Sequence, residues 1–385
     1  MHLKSKINSA LMVCAAAGLA LTFTTISKTA PANESLPLGK VPLTSAGALA
    51  FGPNGILFVA DSVGAQIVAI DTQDAKKAKA GAAVNVEGVD AKIAALVGVP
   101  ADQIVINDVK VNPISKNVYI SASRGKGPDA AALIAKVDTT DKVSVLSLDS
   151  EHNAAVSLVD APESKATGRG GNPRMQTITG MNYINGNLMV AGLSNEEWNS
   201  ELRSIPYPFK TAEKGATLQI WHSSHGRYET QAPIRTFVPY NIGGKPYVLA
   251  AYTCTPLVKI PVDELKPGAM VKGAEIADLG AGNQPLDMVP YEKDGHNYIL
   301  IANTSFGVVK LKADKLESYP TIGEPQRTDV AGVPYDKVGN LQNVQHLAAV
   351  DSSNVLVMTG HPGAGPAYNP GPPVGPINLN TVALP

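Results

Sequence analysis

Cysteine is almost absent from this chain of 385 residues, which carries only Cys14 and Cys254. Cys14 lies in the N-terminal apolar segment, so a mature chain without that segment keeps Cys254 alone. An intramolecular disulfide is then excluded, and stability in an oxidising compartment must come from a packed core. The apolar content of 44% is sufficient for such a core at this length.

An excess of charge is also missing, because 32 basic residues nearly balance 33 acidic ones. Without a basic excess, nucleic acid is not an expected partner. The sequence has no glycine-rich phosphate loop, no Gly-x-Ser-x-Gly elbow and no zinc-binding helix motif. No linker rich in proline and serine divides it either. Composition therefore favours one globular domain without a recognisable catalytic motif.

Residues 1–32 have the pattern of a secretory signal that is cleaved on export. Lys4 and Lys6 precede an apolar run, and Ala30-Pro31-Ala32 supplies a small-x-small cleavage pattern. The run is shorter than the ~20 apolar residues that a membrane span needs. A membrane anchor and a lipoprotein signal ending at Cys14 are the alternatives. We expect a periplasmic or secreted monomer with no membrane span after signal removal.

Residues 33–385 repeat one pattern, in which a short apolar strand, a tight turn and a second apolar strand follow each other. Turns such as Pro53-Asn54-Gly55 and Asn185-Gly186 are typical of hairpins. The second strands of the copies, about 50 to 70 residues apart, are Ile56–Asp61, Asn117–Ala122, Asn187–Gly192, Pro246–Ala251, Asn297–Ala302 and Asn354–Thr359. Such meanders cannot bury their faces alone, which predicts radial packing into an all-β propeller.

We predict six blades, with seven as the alternative; a large β-sandwich or two β-domains would also fit the strands. The propeller is predicted to be a single domain, closed where Ile377–Leu384 and a strand near Leu38–Leu43 meet in one blade. A short helical insert is expected over 90–97, with Asp90 as its N-cap. A long loop insert over 194–215 is aromatic enough to fold over a neighbouring surface.

The first copy resembles a known repeat. Leu57-Phe58-Val59-Ala60-Asp61, followed by Gln66–Asp71, is similar to the repeat of NHL-type propellers and of the six-bladed gluconolactonase and regucalcin-like group. Residues 112–119 are similar to a turn and strand of YVTN or lactonase-type propellers. The resemblance implies a site on one face of the central channel. It implies no activity, because the calcium-binding gluconolactonases use a first-blade glutamate where this chain has Ser45-Ala46-Gly47-Ala48.

Polar side chains are predicted to converge at the channel mouth. In a propeller, the innermost strands start at the face that also carries the loops between second and third strands. The predicted ligand-binding or catalytic residues at strand starts are Asn107, Asp108, Arg235, Asp287, Gln345 and His346. Those in the loops are Asp61, Arg124, Asn303 and His361, and Glu196 and Trp198 would form a lid in the long insert.

His346 is the first candidate for chemistry, as a general base or a neutral metal ligand. Asp108 and Asp287 would be its carboxylate partners, and with His361 they could form a mixed site for a divalent metal such as calcium. No local ligand spacing such as His-x-x-x-His supports a metal at these residues. A histidine that is hydrogen-bonded between blades is the alternative.

Three functions are therefore left open. The first is a propeller that binds a small ligand or a partner protein on its channel face, which the lack of a catalytic motif favours. The second is a metal-dependent, lactonase-type hydrolase. The third is a periplasmic oxidoreductase with a quinone cofactor, in which His346 would be the base and Arg235 or Arg174 would bind cofactor carboxylates.

Overall fold

The structure, a computed structural model, describes residues 36–127, 129–165, 172–254, 256–326, 330–366 and 370–385. The predicted secretory signal, residues 1–32, lies outside these ranges. Within them, no helix is long and apolar enough to cross a membrane.

The described residues are almost entirely strands and turns, with one α-helix, α1 (Val89–Val97). In chain order, the strands of the first half are β1 (Leu38–Gly39), β2 (Leu49–Phe51), β3 (Ile56–Asp61), β4 (Gln66–Asp71), β5 (Asn85–Val86), β6 (Ile104–Val111), β7 (Val118–Arg124), β8 (Ala131–Val137), β9 (Val143–Val145), β10 (Glu151–Ser157), β11 (Gly180–Ile184), β12 (Asn187–Leu193) and β13 (Ser200–Pro206). Those of the second half are β14 (Ala216–His222), β15 (Arg227–Glu229), β16 (Thr236–Ile242), β17 (Lys245–Ala251), β18 (Pro256–Pro261), β19 (Met270–Asp278), β20 (Pro285–Lys293), β21 (His296–Asn303), β22 (Gly307–Lys312), β23 (Ala331–Gly332), β24 (Tyr335–Lys337), β25 (Val344–Ala349), β26 (Asn354–His361) and β27 (Val374–Ala383).

Antiparallel pairing joins 24 of the 27 described strands into six four-stranded sheets, which we number as blades by the order of their innermost strands. From the inside outward, blade 1 is β2-β3-β4-β10 and blade 2 is β6-β7-β8-β9. Blade 3 is β11-β12-β13-β14 and blade 4 is β16-β17-β18-β19. Blade 5 is β20-β21-β22-β24 and blade 6 is β25-β26-β27-β5.

The innermost strands close a ring. β2 contacts β6 and β11, β11 contacts β16, β16 contacts β20, β20 contacts β25, and β25 returns to β6. The order around the ring is therefore blade 1, 2, 6, 5, 4, 3, and the predicted all-β propeller is confirmed. Apolar clusters of the described residues lie between ring neighbours: Phe58 packs with Leu188 between blades 1 and 3, for example, and Leu300 with Val355 between blades 5 and 6. The second strand of each blade is covered on both faces by the two neighbouring blades. Strands such as Ile56–Asp61 are therefore buried throughout.

The chain visits the blades out of ring order, and two strands interlock them. After β4 it places β5 on the outer edge of blade 6, forms α1, builds blade 2, and then returns as β10 to complete blade 1. The predicted closure is therefore wrong. β1 pairs with β10 on blade 1, whereas the C-terminal strand β27 pairs with β26 and β5 on blade 6. The sequence spacing between the repeat copies cannot show that the chain crosses to blade 6. The crossing depends on which blade edge the segment after β4 pairs with.

Both predicted inserts are close to blades. The helix lies where the sequence places it, but its N-cap is Gly88, and the Asp90 carboxylate instead accepts a 3.0 Å hydrogen bond from the backbone N–H of Ile377. The segment 194–215, predicted as a long loop insert, instead contains β13, the third strand of blade 3, which pairs with β12 along its length. Beyond β13, Tyr207 packs edge-on against Phe58 of blade 1, with ring centroids 4.9 Å apart.

Replacing Leu379 by alanine tests the interlocking of β27 with β5. Leu379 is completely buried and lies opposite Val86. We expect Leu379→Ala to reduce the free energy of unfolding by about 2–5 kcal/mol, because it leaves a cavity between blades 2 and 6. Val374→Ala, at a half-exposed position of the same strand, should change it by less than about 0.5 kcal/mol. Equal effects of the two substitutions in urea unfolding would contradict this closure.

Candidate functional site

Three innermost strands carry a β-bulge near their start. The register of pairing shifts between Ile106 and Asp108 in β6, between Pro285 and Asp287 in β20, and between Val344 and His346 in β25. These strands belong to blades 2, 5 and 6, which are consecutive in the ring. A bulge redirects the side chains that follow it, and bulges are common beside functional sites. Here they bring two carboxylates and one imidazole to the same part of the channel.

A cavity of about 1010 Å³ lies in the channel, along the innermost strands. The innermost strands of all six blades contribute to its wall, including Leu49, Asp108, Asn182, Phe237, Met288 and Leu347. The wall mixes polar and apolar side chains, which is typical of small-molecule sites. Asp108, Lys110, Asp287 and His346 all line it.

Lys110 lies between the two carboxylates. Its ammonium nitrogen is 2.8 Å from Asp108 Oδ1 and 3.2 Å from Asp287 Oδ1. Lys110 is on the same face of β6 as Asp108, because residues two apart in a strand share a face. Its side chain is 27% exposed, whereas those of Asp108 and Asp287 are 9% and 11% exposed. One cation thus neutralises much of the charge of two buried carboxylates from blades 2 and 5.

Asp287 also orients the imidazole of His346. Oδ2 of Asp287 is 2.8 Å from Nδ1 of His346, and Asp108 Oδ1 is 3.7 Å from the same nitrogen. Because an ionised carboxylate can only accept hydrogen bonds, the proton of a neutral His346 must be on Nδ1. The lone pair of Nε2 then remains as an acceptor. This is the arrangement of a general base that a carboxylate holds in place.

The carboxylates join neighbouring blades through backbone groups as well. Asp108 Oδ2 accepts a 2.7 Å hydrogen bond from the backbone N–H of Leu49 in blade 1. Asp287 Oδ2 accepts one of 3.2 Å from the backbone N–H of Leu347 in blade 6. The cluster Asp108, Lys110, Asp287 and His346 therefore connects four of the six blades, and we call it the channel cluster.

Charge compensation within the channel cluster shifts two pKa values. Burial alone would lower the pKa of Lys110, but the carboxylates of Asp108 and Asp287 outweigh burial and raise it above its ordinary value. Burial alone would raise the pKa of Asp287, but Lys110 and His346 outweigh it and lower that pKa. Both groups are therefore charged across the neutral pH range.

The donor set of the channel cluster does not fit the predicted divalent metal. Carboxylate oxygens of Asp108 and Asp287 and a nitrogen of His346 lie within 4.8 Å of one another, as metal ligands would. The Lys110 ammonium, however, already bonds to both carboxylates and supplies the positive charge. A calcium ion would have to displace a cation that is part of the fold. His361, the proposed fourth ligand, is exposed at the end of β26 and is not part of the cluster.

Lys110 is the residue that sequence reasoning missed. The available signal was an aspartate and a lysine two positions apart in the innermost strand Ile104–Val111, where alternation directs both toward the channel. A carboxylate and an ammonium group on the same inward face indicate that the lysine of the chain itself balances the negative charge of the carboxylate.

Two further predicted residues line the same cavity. Arg235 precedes β16 on the channel wall, where burial lowers the pKa of its guanidinium group. Asn107, the extra residue of the β6 bulge, donates a 2.8 Å hydrogen bond from its amide to the backbone carbonyl of Ala46. Arg235, Asn107 and His346 thus add a guanidinium group, an amide and an imidazole to the wall of the cavity.

The remaining predicted ligand-binding residues lie elsewhere. Asp61 is completely buried and caps the adjoining loops, since its carboxylate accepts from the backbone N–H groups of Thr44, Ser45 and Gly64. Asn303 is buried. Its side chain is hydrogen-bonded to Asn283 and to backbone carbonyls of its own hairpin.

Four other side chains lie in loops or at strand ends. Arg124 ends β7 and is exposed, and Trp198 is 43% exposed. Glu196 pairs with Lys214 at 2.5 Å within the long insert. The Gln345 amide lies 3.4 Å from the backbone carbonyl of Gly360 in β26. None of these four is among the residues that line the channel cavity.

Comparisons with known proteins add no functional argument. No family model and no curated protein matches the chain. Solved structures with similar folds include a putative glucose dehydrogenase from Thermus thermophilus, at 12% identity and a TM-score of 0.33, covering 90% of this chain and 100% of that one. They also include the PQQ-bound aldose sugar dehydrogenase from Streptomyces coelicolor, at 10% identity, TM-score 0.29 and coverages of 90% and 96%. A streptogramin B lyase has 8% identity, TM-score 0.31 and coverages of 91% and 97%. Likenesses this distant do not extend to the site.

Replacing Lys110 by methionine tests the charge balance of the channel cluster. The change keeps the apolar stem but leaves two buried carboxylates without their shared cation. We expect Lys110→Met to reduce the free energy of unfolding by roughly 3 kcal/mol, the low end for a broken buried ion pair, because Lys110 retains some exposure. Lys126→Met is the matched control, since Lys126 is 59% exposed and 3.8 Å from Asp102, and it should cost less than about 1 kcal/mol. Similar losses for both variants in urea unfolding would contradict the assignment.

The effect of Lys110→Met should also depend on pH. The lowered pKa of Asp287 means that its contribution is present above its unfolded pKa of about 3.9 and is lost as the pH falls through the folded value. The raised pKa of Lys110 means that its contribution is complete below about 10.4 and is lost only as the pH rises further. Urea unfolding should therefore give a large difference between variant and wild type at pH 7 and a smaller one near pH 3. A constant difference would show that carboxylate charge is not its cause.

Proposed function

We propose that this chain is an exported propeller whose channel cavity binds a small polar molecule. The observation that carries the proposal is the Asp287–His346 pair, which fixes an imidazole on the wall of a cavity of about 1010 Å³. That volume is in the range of sites for small molecules and cofactors. A partner protein would need an extended surface, which the cavity does not provide.

The guanidinium group of Arg235 on the cavity wall is the basis for proposing that the ligand carries an anionic group. Lys110 donates hydrogen bonds to both Asp108 and Asp287, and the backbone N–H groups of Leu49 and Leu347 also donate to these carboxylates. Arg235 adds a positive charge on the same wall. A carboxylate or similar anion would gain charge-assisted hydrogen bonds there. His346 Nε2 would accept a hydrogen bond from a hydroxyl of the same ligand.

The cost of burying charge supports a role beyond folding. An apolar side chain of similar size is often as stabilising as a buried ion pair, so a charged cluster in a channel is weak support for a purely structural role. Groups with shifted pKa values in a concave site are common at functional centres. The lowered pKa of Asp287 beside an oriented histidine fits that pattern.

An oxidoreductase with a quinone cofactor is the second candidate. One observation favours it: His346 and Arg235 line a single cavity, so a base and a carboxylate-binding cation could reach one cofactor and its substrate. Such a cofactor would supply the redox chemistry, and this chain would supply the base, the anion-binding charge and the enclosing wall. The lactonase-type hydrolase has less support, because Lys110 takes the position that its metal would need.

Isothermal titration calorimetry with three probes tests the proposal. The probes are D-gluconate, neutral D-glucono-1,5-lactone and the tricarboxylate pyrroloquinoline quinone. We expect saturable binding of at least one carboxylate probe, and His346→Ala should weaken it by at least about tenfold through loss of a hydrogen bond. His361→Ala is the matched control, because His361 is an exposed histidine of the same blade, and should bind as wild type does.

The outcomes separate the two candidates. Binding of the quinone together with a visible band that survives desalting supports the oxidoreductase, whereas gluconate binding alone supports a ligand-binding propeller. No saturable binding of any probe, or equal binding by His346→Ala and wild type, contradicts the proposed site.

A further inference from the structure

A second cluster of histidine and carboxylate side chains lies on the hairpin of β14 and β15, outside the channel. His222 ends β14, and Glu229 ends β15. In the pairing of these strands, Ile220 is opposite Glu229 and His222 is opposite Arg227. Residues 220 and 222 share a face of the sheet, so His222 and Glu229 lie diagonally on one side. The tight turn between the strands brings His225 to the same side, since its backbone N–H donates to the carbonyl of His222.

Both imidazoles are directed at one carboxylate. His222 Nδ1 is 2.9 Å from Glu229 Oε2, and His225 Nδ1 is 2.7 Å from Glu229 Oε1. The two rings are stacked at a tilt, with centroids 3.9 Å apart. One donor atom from each of the three side chains lies within 4.8 Å of the others, so a single ion can reach all three.

We propose that His222, His225 and Glu229 bind a divalent transition metal, with zinc as the expected ion. Zinc commonly binds a set of two imidazoles and one carboxylate, whereas calcium and magnesium prefer ligands that are all oxygen. On binding, the Nδ1 lone pair of each neutral imidazole forms the bond to the metal, and the single proton of that ring is carried on Nε2. Three protein ligands leave a fourth position for water. The spacing of the ligands is His-x-x-His-x-x-x-Glu, which a hairpin supplies here in place of a helix.

The surroundings match those of metal-binding histidines. Ser224 Oγ is 3.0 Å from His222 Nε2 and can therefore accept a hydrogen bond from the Nε2–H group while Nδ1 binds the metal. Such outer partners fix the orientation of a ligating ring. Ser223 anchors the turn, because Glu275 Oε2 accepts its backbone N–H and Glu275 Oε1 accepts its hydroxyl, both at 2.9 Å.

The three proposed ligands differ in solvent exposure, which leaves one route for an ion to enter the site. His222 is 2% exposed and Glu229 is 14% exposed at the side chain, whereas His225 is 41% exposed, so an ion could enter from the side of His225. Arg227 competes for the site, since its Nε is 3.3 Å from Glu229 Oε1. Arg227 is 71% exposed and can therefore turn away into solvent.

The proposed metal site is independent of the proposed channel ligand. None of its three residues lines the channel cavity. It nevertheless lies at the same end of the blades as the channel mouth, because β14 ends at His222 and the next innermost strand begins at Thr236.

Zinc titration of the full mature protein, after treatment with a chelator, tests the proposal. Isothermal titration calorimetry near pH 7.5 should give one equivalent of bound zinc, and cobalt should give a visible spectrum of tetrahedral type. His225→Ala and Glu229→Gln should each reduce zinc affinity by more than the about 10–100-fold that loss of an outer partner costs. Circular dichroism should show that both variants remain folded, because neither change is in the buried core.

Three further variants separate this site from alternatives. Arg227→Gln should raise zinc affinity, because it removes a competing cation, whereas a hairpin held by ion pairs alone would show no such gain. His361→Ala and His346→Ala should bind zinc as wild type does, and a loss in His346→Ala would assign the ion to the channel cluster. Failure of wild type to bind one equivalent of zinc, or unchanged affinity in His225→Ala and Glu229→Gln, would overturn the proposal.

Discussion

The ammonium group of Lys110 holds the centre of the propeller together, because it is shared by carboxylates from two blades that do not adjoin. Asp108 belongs to blade 2 and Asp287 to blade 5, and blade 6 lies between them in the ring. The other oxygen of Asp108 accepts a hydrogen bond from the backbone N–H of Leu49 in blade 1. The other oxygen of Asp287 accepts one from the backbone N–H of Leu347 in blade 6. Without the lysine, these bonds would require two buried negative charges close together, which is costly in a low-dielectric interior.

That constraint also determines which groups the channel would present to the proposed ligand. Because Asp287 is held ionised by Lys110, it can hold His346 through Nδ1 and leave Nε2 as the acceptor. The β-bulges make this possible, since each shifts the register by one residue where Asp108, Asp287 or His346 enters the wall. The site is thus built from the rigid inner strands, with the interblade cores behind them. Function, under this account, depends on the same interactions that join the blades.

The sequence was sufficient for the repeated blade pattern and for part of the site, for identifiable physical reasons. Repeated apolar runs and turns predict meanders, and the start of each innermost strand predicts that Asp108, Asp287 and His346 meet. The crossing of the chain to β5, and hence the mistaken closure of Leu38–Leu43 with Ile377–Leu384, depends on edge pairing between distant segments that no local pattern encodes. Lys110 was overlooked because a lysine in a strand is usually solvated. Asp61 and Asn303 were placed at the mouth by topology, but their hydrogen bonds to nearby loops keep them inside the fold.

The tautomer of His346 tests the central claim most directly. Long-range ¹H–¹⁵N correlation spectra of the imidazole distinguish a protonated ring nitrogen from one with a free lone pair, and His346→Ala assigns the signals. The account predicts that neutral His346 carries its proton on Nδ1, with Nε2 unprotonated, and that Lys110→Met disturbs this state by altering Asp287. A neutral His346 protonated on Nε2 in the wild type would contradict the account, because Asp287 would then not be holding the ring as described.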